Sequence, residues 1–283
     1  MKKRICLLAF IGSIIFSNVS AQGGFFVKNN NIEKWYLQKE KIAEEVNKVM
    51  NLPEFYNLTN GKISMETLLP NFHFIDFDNN GIADLIFSGK IFDTYYTFIF
   101  YKKNNNYLIS LGEKGAITQA NLPGEDNGLC FSLWDEICCF EYIHTFTQYA
   151  CVSTNNTSYF NLLSKSLIYK NTLYPQVRLE RPVAFKTVKV THLRNEPFVD
   201  DEIAIGGKYS WKGNTLAMYP PDVIGTIYAE MRNTKNEFWY FVRMNNETGV
   251  TTHNNRFTTE NKEENENCFT YGWVYYDNVT FVE

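Results

Sequence analysis

Tyr95-Tyr96-Thr97-Phe98-Ile99-Phe100-Tyr101-Lys102-Lys103-Asn104-Asn105-Asn106-Tyr107-Leu108-Ile109-Ser110-Leu111 is the stretch that decides the fold class. Two runs of aromatic and aliphatic residues flank five polar ones, and each run is too short for a helix of ordinary length. Aromatic and β-branched side chains suit a pleated, half-buried surface. The polar quintet supplies the turn, so the stretch reads as a β-hairpin. Similar runs recur downstream at Leu129 to Phe140, Tyr142 to Val152 and Ser158 to Tyr169, with Asn155-Asn156 as another turn. Together they predict a mainly β protein with long antiparallel strands. The 23 Phe and 18 Tyr of the chain are ample for its core.

Immediately upstream, Phe72-His73-Phe74-Ile75 and Leu85-Ile86-Phe87 flank Asp76-Phe77-Asp78-Asn79-Asn80-Gly81-Ile82-Ala83-Asp84. Oxygen-bearing side chains fall at loop positions one, three, five and nine. Gly81 at position six permits a sharp turn, and the Ile82 carbonyl at position seven adds a backbone oxygen. A hard cation such as Ca²⁺ needs six to eight oxygens around one point, which this spacing can gather. An EF-hand would place Glu at position twelve, where Phe87 stands. The loop therefore predicts a structural calcium site between two strands, with Asp76, Asp78, Asn80, Ile82 and Asp84 as ligands. The pattern Asp-x-Asp-x-Asn-Gly-x-x-Asp resembles the calcium loop of FG-GAP/VCBS-type β-propeller repeats. It occurs once, whereas a propeller repeats it in successive blades, so the resemblance implies the loop alone.

Further upstream, Trp35, Ile42, Val46 and Val49 share one face of Ile32 to Met50, with Lys39, Lys41, Glu44, Glu45 and Lys48 largely opposite. That period predicts one N-terminal helix covering a sheet, ended by Pro53. Residues 1–21 read as a secretory leader, with Lys2-Lys3-Arg4, an apolar run from Ile5 to Phe16, and Val19-Ser20-Ala21 at the cleavage point. No later segment is apolar enough to predict a transmembrane helix. The expected location is the periplasm or the exterior. Removing Lys2, Lys3 and Arg4 takes 27 basic residues to 24 against 31 acidic, a net of −7. Such a balance argues against nucleic acid and against an anionic membrane surface. Cys130, Cys138, Cys139, Cys151 and Cys268 remain; cystines linking Cys138 or Cys139 to Cys130 and Cys151 are plausible in an oxidising compartment, with buried thiols as the alternative. Cys268 is left over in a polar loop.

Pro175 and Pro182 bracket the expected boundary between a β-rich domain, 22–182, and a second domain, 183–283. The second part has short strands with Gly at its corners, the pattern of a small barrel. Leu193-Arg194, Trp239 with Val242, and Gly272-Trp273-Val274 follow in an order that resembles the bacterial SH3-like (SH3b) domain over Phe185 to Glu283. An Asn- and Glu-rich insert, Asn245 to Asn267, departs from that pattern. The resemblance implies an SH3-like barrel that binds a peptide or a cell-wall component, with the protein partner unknown. Flat rings favour such a surface, and Tyr219, Trp239, Phe241 and Tyr275 are its candidates, with Asp200 and Asp201 placed to meet a cation on the ligand. No nucleophile elbow is present, since Gly207-Lys208-Tyr209-Ser210-Trp211 fails at its last position. Asp135-Glu136 and Asp200-Asp201-Glu202 are carboxylate pairs in name, expected on turns facing water. The reading is a non-catalytic binding protein of the cell envelope. The alternative is a cell-wall hydrolase, or a hydrolase inhibitor, with its site on the first domain.

Overall fold

A computed structural model describes residues 39–59, 62–78, 80–121, 130–136, 143–153, 158–169, 171–206, 209–245, 250–251 and 267–282. The predicted leader, the start of the predicted helix, Cys138, Cys139 and most of the insert after Asn245 lie outside the described residues. The protein is mainly β, and among the described residues its strand pairs are antiparallel with one exception.

Helix α1, Lys39–Met50, is followed by two short helices that the periodicity does not reveal, α2, Pro53–Thr59, and α3, Met65–Leu68. Pro53 thus opens α2 as well as ending α1, since its fixed φ suits a first helical position. The first sheet has strand order β1-β2-β3-β4: Phe72–Ile75, Asp84–Ile91, Thr94–Lys103 and Asn106–Lys114. Strands β3 and β4 are the predicted hairpin, pairing Lys103 with Asn106, and Asn104 and Asn105 turn the chain with positive φ. One face of this sheet packs on the helices through Phe55, Phe72, Phe87, Phe98 and Phe100. Phe55 meets four of these rings at centroid separations of 5.1 to 5.9 Å. The other face packs through Ile75, Phe77, Ile86 and Ile99 onto Ile117, Phe131 and Leu133 of the second sheet.

Gly115 makes the crossing between the sheets. Its φ of +114° excludes most side chains, and an added Cβ would lie 3.0 Å from the Trp134 carbonyl. Strands β5, Ala116–Asn121, β6, Cys130–Glu136, β7, Ile143–Ser153, and β8, Ser158–Tyr169, then run antiparallel. The C-terminal half contributes β9, Val183–Thr187, β10, Thr191–Arg194, β11, Ile203–Gly206, β12, Tyr209–Lys212, and β13, Thr215–Tyr219. It continues with β14, Ile224–Arg232, β15, Phe238–Asn245, β16, Val250–Thr251, β17, Cys268–Tyr275, and β18, Val279–Phe281. The resulting twelve-stranded sheet follows the path β18-β9-β14-β15-β17-β8-β7-β6-β5, with β10 joining β13 and β17.

Two expectations change here. The C-terminal strands form an open path among the described residues and not a closed barrel. The two halves also share one sheet, because β17 pairs in parallel with β8, Cys268 opposite Lys165. Their core is common as well, with Trp134, Phe146, Ile168 and Tyr174 packing on Trp239, Phe241 and Trp273. Cys268 is accordingly buried at the start of a strand rather than left in a loop, and Cys130 and Cys151 are free thiols.

Candidate metal centre

Phe77 anchors the acidic loop. It is fully buried, with its ring 5.1 Å from Phe160 of β8, so Asp76 and Asp78 on either side stay half-buried at the surface. Gly81 has φ +83°, the left-handed turn that position six requires. The loop then enters β2 at Asp84, which is fully buried. One carboxylate oxygen from each of Asp76, Asp78 and Asp84 lies within 4.8 Å of the others. Oxygens bound ~2.4 Å from one Ca²⁺ stand no more than about 5 Å apart, so this separation fits a shared cation.

The hydrogen bonds show how far the loop is shaped. Asp76 accepts the N–H groups of Asn80 and Gly81 at 3.0 and 2.7 Å. Asp78 Oδ2 accepts from Asn80 Nδ2 at 3.0 Å and from Ser158 Oγ at 2.5 Å. Asp84 Oδ1 accepts the Lys102 N–H at 2.8 Å, while Asp84 Oδ2 is buried with no hydrogen-bond partner. A buried carboxylate oxygen without a partner costs several kcal/mol if ionised. Burial, and then the charges of Asp78 and Asp76, push the Asp84 carboxyl up to about 8. A bound cation would reverse both effects, because it supplies the missing partner and neutralises the repulsion.

The three carboxylates among the five predicted ligands, Asp76, Asp78 and Asp84, converge. Asn80 shapes the turn, its Oδ1 accepting the Ile82 N–H at 2.7 Å. That bond uses the Ile82 N–H and does not involve its carbonyl, the expected ligand atom.

The predicted ligand-binding residues do not form one surface. Tyr219, Trp239 and Phe241 are no more than 1% exposed and belong to the core. Alternation along β15 places Trp239 and Phe241 on one face, but that face is covered by the first half of the chain. Asp200 and Asp201 serve the loop after β10: the Asp200 carbonyl accepts from Arg194 at 2.9 Å, and Asp201 pairs with Arg194 at 2.9 Å. Only Tyr275 of the six stays a half-exposed ring, 4.9 Å from Tyr276. Asp135 and Glu136 lie on β6 and not on a turn.

A second grouping was missed. Glu113 of β4, Asp135 of β6, Tyr149 of β7 and Lys165 of β8 line one cleft between the sheets. They come from four strands, so no contiguous motif announces them. No family model, curated protein or solved structure matches the chain.

Proposed function

We propose that the chain is an exported, non-catalytic binding protein of the cell envelope whose first sheet is braced by Ca²⁺. The observation that carries the metal assignment is Asp84 Oδ2, buried, without a partner and facing two further carboxylates. Asp76 and Asp78 would hold the ion with it, and the ion would tie the β1–β2 loop to β2. The role is structural, since Asp78 also accepts from Ser158 at the start of β8 and so links the two sheets.

The recognition assignment draws support from the C-terminal half. Leu193, Val242 and Val274, one from each motif of the SH3-like resemblance, pack together in a single cluster, which supports that reading. Tyr275, Tyr276 and Phe238 offer neighbouring rings at its surface, the last under the Arg232 guanidinium at 3.7 Å. Such rings bury area at small entropic cost when a peptide or cell-wall fragment docks.

Melting of the full chain with Ca²⁺ and with a chelator tests the ion. At 100-fold excess over its Kd, a ligand bound only by the folded state adds about 2.7 kcal/mol. Asp84→Asn keeps the shape and removes the charge, so it is expected to abolish the rise. Equal melting temperatures for the wild-type chain would remove the metal. Pull-down on purified peptidoglycan tests recognition, and retention undiminished by Tyr275→Ala with Tyr276→Ala would place the surface elsewhere.

A further inference from the structure

Neither the metal nor the C-terminal rings account for the cleft where the edge strand β4 meets the face of β6, β7 and β8. Its volume is about 690 Å³, within the roughly 300–1,000 Å³ of small-ligand sites. Its charges come from separate elements. Glu54 of α2, Glu113 of β4 and Asp135 of β6 supply carboxylates, while Lys114 of β4 and Lys165 of β8 supply ammonium groups. The floor is aromatic. Tyr96 and Phe98 line it from β3, and Gly112 lies close against the Phe98 ring, where an added Cβ would sit 2.8 Å from its edge. Facing them, Thr145, Thr147 and Tyr149 share one side of β7 at alternate positions.

The groups sense each other across the gap. Burial raises the Glu113 carboxyl, with Lys165 opposing and Asp135 adding to the shift. Burial and then the Glu113 charge raise the Tyr149 hydroxyl. Glu113 belongs to the first sheet and the other three to the second, so a ligand filling the cleft would touch both.

The lining selects the ligand class. Three carboxylates against two ammonium groups disfavour a phosphate-bearing or polyanionic ligand. A lipid tail would strip water from five charges and return no hydrogen bonds. A sugar ring satisfies both kinds of wall, because its hydroxyls donate to carboxylates and accept from ammonium groups while its C–H face covers an aromatic ring. We propose that this cleft binds a short saccharide, its hydroxyls held by Glu113, Asp135 and Lys165 and its apolar face laid against Tyr96 and Tyr149.

Calorimetric titration of the full chain with chitotetraose and with cellotetraose tests the assignment. Binding of either sugar is expected, weakened at least tenfold by Glu113→Gln and by Lys165→Ala, with the circular dichroism and melting temperature of each variant unchanged. Binding of chitotetraose alone would point to an N-acetylated cell-wall glycan, and binding of both to a glucan backbone; each supports a saccharide site. Tyr275→Ala is expected to leave sugar binding intact, which separates this site from the C-terminal surface. No heat with either sugar, or binding that survives both substitutions, would overturn the proposal.

Discussion

Arg194 carries a charge into the interior and meets acceptors on every side. Its side chain is 6% exposed, and its Nη1 donates to the Asp200 carbonyl, Asn214 Oδ1 and Thr215 Oγ1 at 2.8 to 3.1 Å. Nη2 reaches Asp201, which is 46% exposed. The two ends of this pair therefore differ in worth. Arg194→Ala strands buried acceptors and is expected to lower stability by about 2–3 kcal/mol, whereas Asp201→Ala removes a half-solvated partner worth about 1 kcal/mol at most. Urea unfolding of both variants checks the ordering, and equal losses would contradict it. His73 makes a different use of burial. It sits within β1, and burial lowers its pKa below the ordinary 6.5. The folded chain then binds this proton more weakly than the unfolded chain. Stability from this residue is full above about pH 6.5 and falls as pH drops through that value toward the lower folded pKa. His73→Phe is expected to flatten the loss between pH 7 and 5, read from urea midpoints, and an unchanged slope would assign the acid sensitivity elsewhere.

Strand β17 shows why Gly-Trp-Val occurs where it does. A Cβ on Gly272 would lie 2.6 Å from the Arg194 carbonyl and 2.9 Å from Leu193, so the glycine lets β10 cross close to β17. Trp273 is fully buried, and its Nε1 donates to the Leu173 carbonyl at 2.6 Å, fastening the segment between the halves. Val274 packs in one cluster with Leu193 and Val242. Gly272→Ala is expected to cost about 1–3 kcal/mol as overpacking. The hydrogen-exchange protection of β10 should fall with it, and retained protection with full stability would show that the strands can separate freely. The acidic loop was legible for a related reason. Its carboxylates lie at positions one, three and nine of one short segment, so spacing alone announced the cluster. Asn80 and Ile82 share that spacing, and a turn hydrogen bond from the Ile82 N–H to Asn80 Oδ1 joins them. The hairpin of β3 and β4 was equally open to reading, because strand formers and turn residues are contiguous.

The two halves are one folding unit in their packing. The face of β15 and β17 that carries Phe241 and Trp273 is dry because Trp134, Phe146, Ile168 and Tyr174 cover it. An isolated 183–282 fragment would expose that face, so it is expected to aggregate or to lack a cooperative melt, while the full chain unfolds in one transition across probes. A fragment that melts cooperatively and stays monomeric would restore two independent domains. Strand positions, the acidic loop and its sharp turn follow from neighbouring residues, since alternation, turn chemistry and ligand spacing are local properties. Which aromatic rings are core and which face water is not local. Tyr219, Trp239 and Tyr275 look alike in the chain, and their fates differ because coverage depends on strands far away in sequence. The same reason hid the cleft of Glu113, Asp135 and Lys165, whose parts meet only when the first sheet folds against the second.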